Sequence, residues 1–139
     1  MHLHTYMYMK ISSKILRCLR VIFVSLYVDS SMMCYPSAGS LVEGCTFHIA
    51  NKCPFPIWPA ITPNAGHPVV ADGGFFLTSG QVKRVQTPAT WNGRFWARTG
   101  CNFASNSKHS CQTGDCQGLL SCNGSIGLPP ATLVEVPSL

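Results

Sequence analysis

Four cysteines of this 139-residue chain have a spacing that could form disulfides or a metal site: Cys101, Cys111, Cys116 and Cys122. Thiols this close in sequence either join into disulfides or hold a metal ion. A structural zinc site takes two tight Cys-x2–4-Cys pairs, and only the step from Cys111 to Cys116 comes near that spacing. The spacing therefore favours disulfides, with neither a metal nor a cofactor, and four cysteines allow three pairings.

Pairing of nearest neighbours would close two short loops whose interiors contain almost nothing to bury. Closing each loop would constrain the unfolded chain by roughly 2–3 kcal/mol in the chain-entropy model. The whole chain has eight cysteines, a density typical of secreted domains and rare in cytosolic ones. Disulfides are therefore expected to rigidify a segment that has little core of its own.

Acidic residues are the second group, because hydrolysis of a glycosidic bond requires two carboxyl groups at a defined separation. The chain has only five Asp and Glu residues. Asp72 lies beside two glycines and Asp115 beside Cys116, and both positions are typical of turn residues that bond to nearby backbone. Glu135 could bind a sugar hydroxyl or an arginine, or could be a solvated residue at a strand end. The sequence predicts no catalytic residue.

Basic and aromatic residues alternate over positions 94–98, so that Arg94, Trp96 and Arg98 share one face of a predicted strand. An arginine beside an indole can support contact with a sugar or an anion, or can form a surface cation–π pair without a ligand. The net charge of +5 is spread along the chain and forms no basic stripe. No nucleic-acid partner is therefore expected.

Residues 1–44 have the order of a secretory signal. Four basic residues within positions 10–20 precede an apolar run at 21–28 that is too short to span a bilayer. An amphipathic anchor or an unstructured leader is the alternative. We therefore expect a leader at 1–44, a folded domain at 45–139 and secretion to the cell exterior. In a secreted chain, the Asn-Gly-Ser sequence at Asn123 is a glycosylation candidate.

Short strands must position these residues. The alternation over Cys45–Asn51 predicts a strand with Phe47 and Ile49 on its buried face. Further short strands, each bounded by Gly or Pro, are predicted at 75–77, 81–86 and 94–99, and no window has a helical period. This pattern predicts an all-β sandwich or barrel.

Four segments of the chain together form a specific pattern that covers residues 45 to about 135 in order. They are Phe47-His-Ile-Ala-Asn-Lys-Cys53, Trp96-Ala-Arg-Thr-Gly-Cys101, Cys111-Gln-Thr-Gly-Asp-Cys116-Gln-Gly-Leu-Leu-Ser-Cys122 and Pro129-Pro-Ala-Thr-Leu-Val-Glu135. These segments resemble the thaumatin-like (pathogenesis-related class 5) family. The resemblance implies an all-β, flattened β-sandwich with disulfide-stapled loops, the disulfides Cys101–Cys111 and Cys116–Cys122, secretion to the plant apoplast, and antifungal or stress roles.

The resemblance also implies a ligand-binding cleft, whose arginine is carried onto Arg98 and whose glutamate is carried onto Glu135. Three aspartates of the family cleft would lie beyond Leu139, so the sandwich is expected to be incomplete. The family partner of Cys53 would also lie beyond Leu139. Cys53, and Cys45 with it, are therefore expected to be unpaired.

A binding function is the expectation that these features favour. The chain is expected to be a plant defence or stress protein that binds fungal cell-wall β-glucan or a membrane, as a monomer and without enzymatic activity. Two alternatives stay open: a weak β-1,3-glucan endohydrolase, and a non-functional truncated fragment in which half a sandwich exposes an edge strand.

Overall fold

A computed structural model of the protein describes residues 44–104 and 108–136. Within these residues, five strands form two antiparallel sheets, one of β1 and β3 and one in the order β2-β4-β5. The strands are β1 (Gly44–Ala50), β2 (Trp58–Pro63), β3 (Val82–Pro88), β4 (Gly93–Arg98) and β5 (Leu133–Val136), and Ala71–Gly73 form one 3-10 turn. The predicted all-β class is confirmed. The expected leader lies outside the described residues apart from Gly44, so the boundary at residue 45 stays a prediction.

The first sheet follows the alternation in the sequence. β1 and β3 pair over their full lengths, from Gly44 opposite Pro88 to Ala50 opposite Val82. Ile49 and Val85 are buried, whereas His48 is exposed. The alternation ends at Ala50, which is buried as well. One face of this sheet therefore turns inward and supplies part of the main core.

The main core lies between the two sheets. It combines Ile49 and Val85 of the first sheet with Ile61, Phe95 and Val134 of the second. Three aromatic rings pack together in this core. The ring centroids of Phe47 and Phe95 lie 5.1 Å apart, and those of Trp91 and Phe95 lie 5.3 Å apart. The described elements include no helix that is long and apolar enough to cross a membrane.

The other side of the second sheet is covered by residues 108–128, which we call the disulfide segment. A second buried cluster forms beneath it from Ala60, Trp96, Cys116 and Cys122. The Trp96 indole donates to the Gly114 carbonyl at 2.8 Å. The Thr62 hydroxyl donates to the Ser125 carbonyl at 2.7 Å. The segment is thus held against the strands by hydrogen bonds as well as by apolar contacts.

Candidate functional site

Two disulfides fix the shape of the cysteine-rich part of the chain. The structure joins Cys101 to Cys111 and Cys116 to Cys122, with Cα–Cα distances of 3.9 and 5.5 Å. These are the two pairs that the resemblance implies. Because all four sulfurs are engaged, none of them is a thiolate that could hold zinc.

The expectation that Cys45 is unpaired was wrong, because Cys45 is disulfide-bonded. The expectation was based only on a family partner beyond Leu139. The sequence has two more cysteines, Cys18 and Cys34, N-terminal to β1. Both lie outside the described residues. Cys53 is 1% exposed in the main core, and its backbone N–H donates to the Asn51 side-chain oxygen at 2.9 Å. The expectation for Cys53 stays a prediction.

Asp115 is a structural residue of the disulfide segment, as the sequence predicts. It is 3% exposed. One carboxylate oxygen accepts the N–H groups of Ser110 and Cys111, both at 3.0 Å, and the other accepts the N–H of Gly118 at 2.9 Å. Both oxygens are therefore occupied by backbone donors that would otherwise lack partners in a buried turn.

An Asp115→Asn substitution is expected to lower the free energy of unfolding by about 1–3 kcal/mol. The new amide nitrogen cannot accept the Gly118 N–H, which would be left unsatisfied beside another donor. Urea denaturation of both proteins measures the difference. The matched control is Asp72→Asn, since Asp72 is exposed and should change stability by no more than about 0.5 kcal/mol. Equal losses for the two variants would contradict this role of Asp115.

Arg98 is buried in the described part of the chain, and its assignment to a ligand-binding cleft stays a prediction. Its side chain is 0% exposed. The guanidinium donates to the backbone carbonyls of Trp58 at 2.9 Å, Leu119 at 2.7 Å and Leu120 at 2.8 Å. Arg98 is buried because the disulfide segment closes over this end of β4, which local alternation cannot reveal.

Burial lowers the pKa of Arg98 to about 10, and the nearby negative charge of Asp115 opposes this change. The guanidinium therefore stays charged near neutral pH. Its planar fork suits several carbonyl oxygens at once, and a lysine ammonium would not match that geometry. Arg98 thus ties β2 and β4 to the disulfide segment.

Arg94 is the exposed arginine of this sheet face, and the sequence reasoning missed its role. Arg94 and Glu135 lie directly opposite each other in the register of β4 and β5. Their ion pair joins Arg94 Nε to a Glu135 carboxylate oxygen at 3.1 Å, with side chains 37% and 68% exposed. Glu135 thus pairs with an arginine in this structure, and its assignment to a ligand-binding cleft stays a prediction. Opposite charges that face each other across neighbouring strands were the available signal, but reading it requires the position of β5.

An exposed group of three aromatic side chains lies at the other end of the same sheet face. The Trp58 ring packs against Phe76 at 5.2 Å and against Phe103 at 6.5 Å between centroids. Phe76 is 50% exposed, and the other two rings are half-buried. The Arg98 guanidinium lies 5.4 Å from the centre of the Phe103 ring. We call Trp58, Phe76 and Phe103 the aromatic cluster.

The aromatic cluster and the Arg94–Glu135 pair lie on one side of the second sheet. Trp58 is directly opposite Arg98, and residues 94 and 98 of β4 point the same way. Four residues of extended chain separate the two ends by about 13 Å. The disulfide segment covers Trp96, which lies between them on this face, so the aromatic cluster and the ion pair are two separate exposed groups.

Comparison with known proteins gives a consistent result. Residues 51–138 match the Thaumatin family. A thaumatin-like protein of Arabidopsis thaliana is 51% identical over 86 residues, which are 62% of this chain and 35% of that protein. An osmotin-like protein of Solanum lycopersicum is 52% identical over 88 residues, 63% of this chain and 34% of that protein.

Pathogenesis-related protein 5 of Arabidopsis thaliana is 46% identical over 99 residues, which are 71% of this chain and 40% of that protein. The chain therefore spans between 34% and 40% of the length of these three relatives. Among solved structures, that of the thaumatin-like xylanase inhibitor TLXI aligns with a TM-score of 0.52 and 35% identity, covering 66% of this chain and 59% of that one.

Proposed function

The chain belongs to the thaumatin family, and on that premise we propose that it is a secreted plant defence protein that binds fungal cell-wall β-glucan through the aromatic cluster. Relatives named as pathogenesis-related proteins of plants support the defence role. The disulfides and the signal-like order of the leader support secretion to the apoplast.

The observation that carries the glucan assignment is the exposure of the aromatic cluster. Phe76 is half exposed although its neighbour Phe75 is buried in the main core. Large exposed apolar side chains that pack together are typical of binding surfaces. Aromatic faces carry negative charge density and attract the weakly positive C–H groups of a pyranose ring. A neutral polymer of pyranose units therefore fits the cluster.

Rigidity of the cluster also supports binding. The backbone of Trp58 is fixed by its pairing with Arg98 and by the hydrogen bond from the Arg98 guanidinium. Phe103 lies two residues after a disulfide-bonded cysteine, Cys101. Side chains on a fixed scaffold lose little conformational entropy when a ligand binds.

Binding without hydrolysis is the mode that the acidic residues support. Both oxygens of Asp115 are occupied by buried backbone donors. The ionic partner of Glu135 is a cation, Arg94, and not a second carboxyl group. Glycoside hydrolysis requires two carboxyl groups that act on the same bond. We therefore propose a non-enzymatic binding role, with weak endohydrolase activity as the alternative.

Retention of the full chain on insoluble β-1,3-glucan tests the proposal. Trp58→Ala and Phe76→Ala are each expected to weaken binding about tenfold, the effect of losing about 1.4 kcal/mol of contact energy. Phe55→Ala is the matched control, because Phe55 is an exposed phenylalanine (39%) outside the cluster. Its binding should be unchanged.

Two outcomes would overturn the glucan assignment. One is an equal loss for the cluster variants and the Phe55 control; the other is retention on lipid vesicles but not on glucan. Release of reducing sugars by the full chain that a Glu135→Gln substitution abolishes would instead establish the endohydrolase alternative.

A further inference from the structure

Asn123 lies at the tip of a tight turn in the disulfide segment and differs in sequence context from every other asparagine of the chain. The chain has six asparagines, and only Asn123 is followed two positions later by a serine or threonine, Ser125. This Asn-x-Ser pattern is the acceptor sequence for N-linked glycosylation. The proposed function does not use this turn.

The geometry of the turn exposes the acceptor. Asn123 and Gly124 are exposed, although Cys122, the preceding residue, is 0% exposed. The Ser125 N–H donates to the Cys122 carbonyl at 2.7 Å, which closes the turn. Asn123 has a φ of 42°, a left-handed conformation that asparagine tolerates better than most residues. An exposed turn therefore follows directly after the buried, disulfide-bonded Cys122.

The contacts of the Asn123 side chain are compatible with an attached sugar. Its amide oxygen accepts the Ser121 hydroxyl at 2.9 Å. This bond engages the oxygen and not Nδ2, the nitrogen to which a sugar would be joined. A methyl group added at Gly124 would meet no atom within 4 Å, so the space beside the acceptor is open.

Other asparagines show what an unsuitable acceptor looks like. Asn51 is 1% exposed, and its side-chain nitrogen donates to the carbonyls of Phe55 and Leu77 at 2.9 and 3.0 Å. Asn92 is 8% exposed, and its side-chain nitrogen lies 2.8 Å from a His67 ring nitrogen. Modification at either position would break buried contacts. The exposed turn at Asn123 has no such constraint.

We propose that Asn123 carries an N-linked oligosaccharide, an inference that rests on the secretion included in the proposed function. The donor is an oligosaccharide joined to a lipid through pyrophosphate. The bond from the anomeric carbon to the pyrophosphate oxygen breaks, a bond from that carbon to Asn123 Nδ2 forms, and Nδ2 loses one proton as the lipid pyrophosphate leaves. The acceptor sequence requires two groups: the Asn123 amide, to which the sugar is joined, and the Ser125 hydroxyl.

Synthesis of the full chain in the presence of plant microsomes tests this inference. The unsubstituted chain and Ser125→Thr are expected to gain a discrete increase in mass that endoglycosidase H removes. Asn123→Gln and Ser125→Ala are expected to lose the increase completely. Asn64→Gln is the control, because Asn64 is exposed but has no hydroxyl residue two positions later, and it should keep the increase.

Protection of the product from added protease separates the two parts of the inference. A protected chain without sugar would overturn glycosylation at Asn123 and leave secretion intact. A chain that stays digestible and unmodified would overturn both. An increase in mass that survives Asn123→Gln would place the sugar elsewhere and would also overturn the assignment.

Discussion

Replacement of Arg98 by methionine is expected to lower the free energy of unfolding by about 3–5 kcal/mol, as for other buried charges that lose a partner. The substitution leaves the carbonyls of Trp58, Leu119 and Leu120 without their guanidinium donor. It also removes the cation near the buried carboxylate of Asp115. Each unsatisfied buried group carries a desolvation penalty of about 1–3 kcal/mol. Urea denaturation followed by tryptophan fluorescence measures the loss.

Two related variants sharpen this prediction. Arg94→Met removes an arginine from the same strand, but its ion pair is exposed, so the expected loss is no more than about 1 kcal/mol. Arg98→Lys keeps the charge but not the planar fork, and should fall between the two. If Arg98→Met and Arg94→Met unfold at the same urea concentration, Arg98 does not tie the sheet to the disulfide segment.

A Gly74→Ala substitution is expected to destabilise the fold by about 2–3 kcal/mol through steric overlap. A Cβ atom at this position would overlap the Leu120 carbonyl oxygen, a backbone atom, and would lie 2.5 Å from Arg98 Nη2. Neither group can move without weakening the hydrogen bond between them. The same denaturation experiment measures the effect.

A double-mutant cycle distinguishes this mechanism from a general loss of packing. The losses from Gly74→Ala and Arg98→Met should not add, because both substitutions disrupt the same contact. The control is Gly80→Ala, whose Cβ would meet no atom within 4 Å but whose φ of 79° is strained for alanine. Its loss of about 1–2 kcal/mol should add to that of Arg98→Met. Full additivity for Gly74→Ala would refute the proposed contact.

Much of the fold could be predicted from local sequence patterns. Alternation at Phe47 and Ile49 indicated a strand with one inward face, and both residues belong to or pack against the main core. The position of Asp115 beside Cys116 indicated a turn residue, because short acidic side chains bond to nearby backbone. These features depend on neighbours within a few residues, which the sequence shows directly.

The identity of the exposed arginine could not be predicted in the same way. Arg94 and Arg98 share one face of β4, and alternation cannot distinguish them. Arg98 is buried because the disulfide segment, up to 22 residues away in sequence, closes over it. Arg94 stays exposed because its partner across the sheet is Glu135, 41 residues away. The difference depends on long-range packing.

The aromatic cluster was also missed, for a related reason. Its members come from β2, from the chain after the 3-10 turn and from the loop after Cys101, and no local pattern connects them. Adjacent residues Phe75 and Phe76 differ in burial because successive side chains of an extended segment point to opposite sides. The sequence identifies the three aromatic residues but does not show that their side chains contact one another in the fold.

The three tryptophans of the chain allow a direct test of where glucan binds. The buried rings of Trp91 and Trp96 donate their indole N–H groups to the backbone carbonyls of Pro68 and Gly114, whereas the Trp58 ring belongs to the exposed cluster. Proton–nitrogen NMR of the labelled full chain, titrated with a soluble β-1,3-gluco-oligosaccharide, follows the three indole signals separately. We expect the Trp58 signal to shift until it saturates while the other two stay in place. A Trp58 signal that does not move, or three signals that move equally, would contradict the proposal that sugar binds at the aromatic cluster.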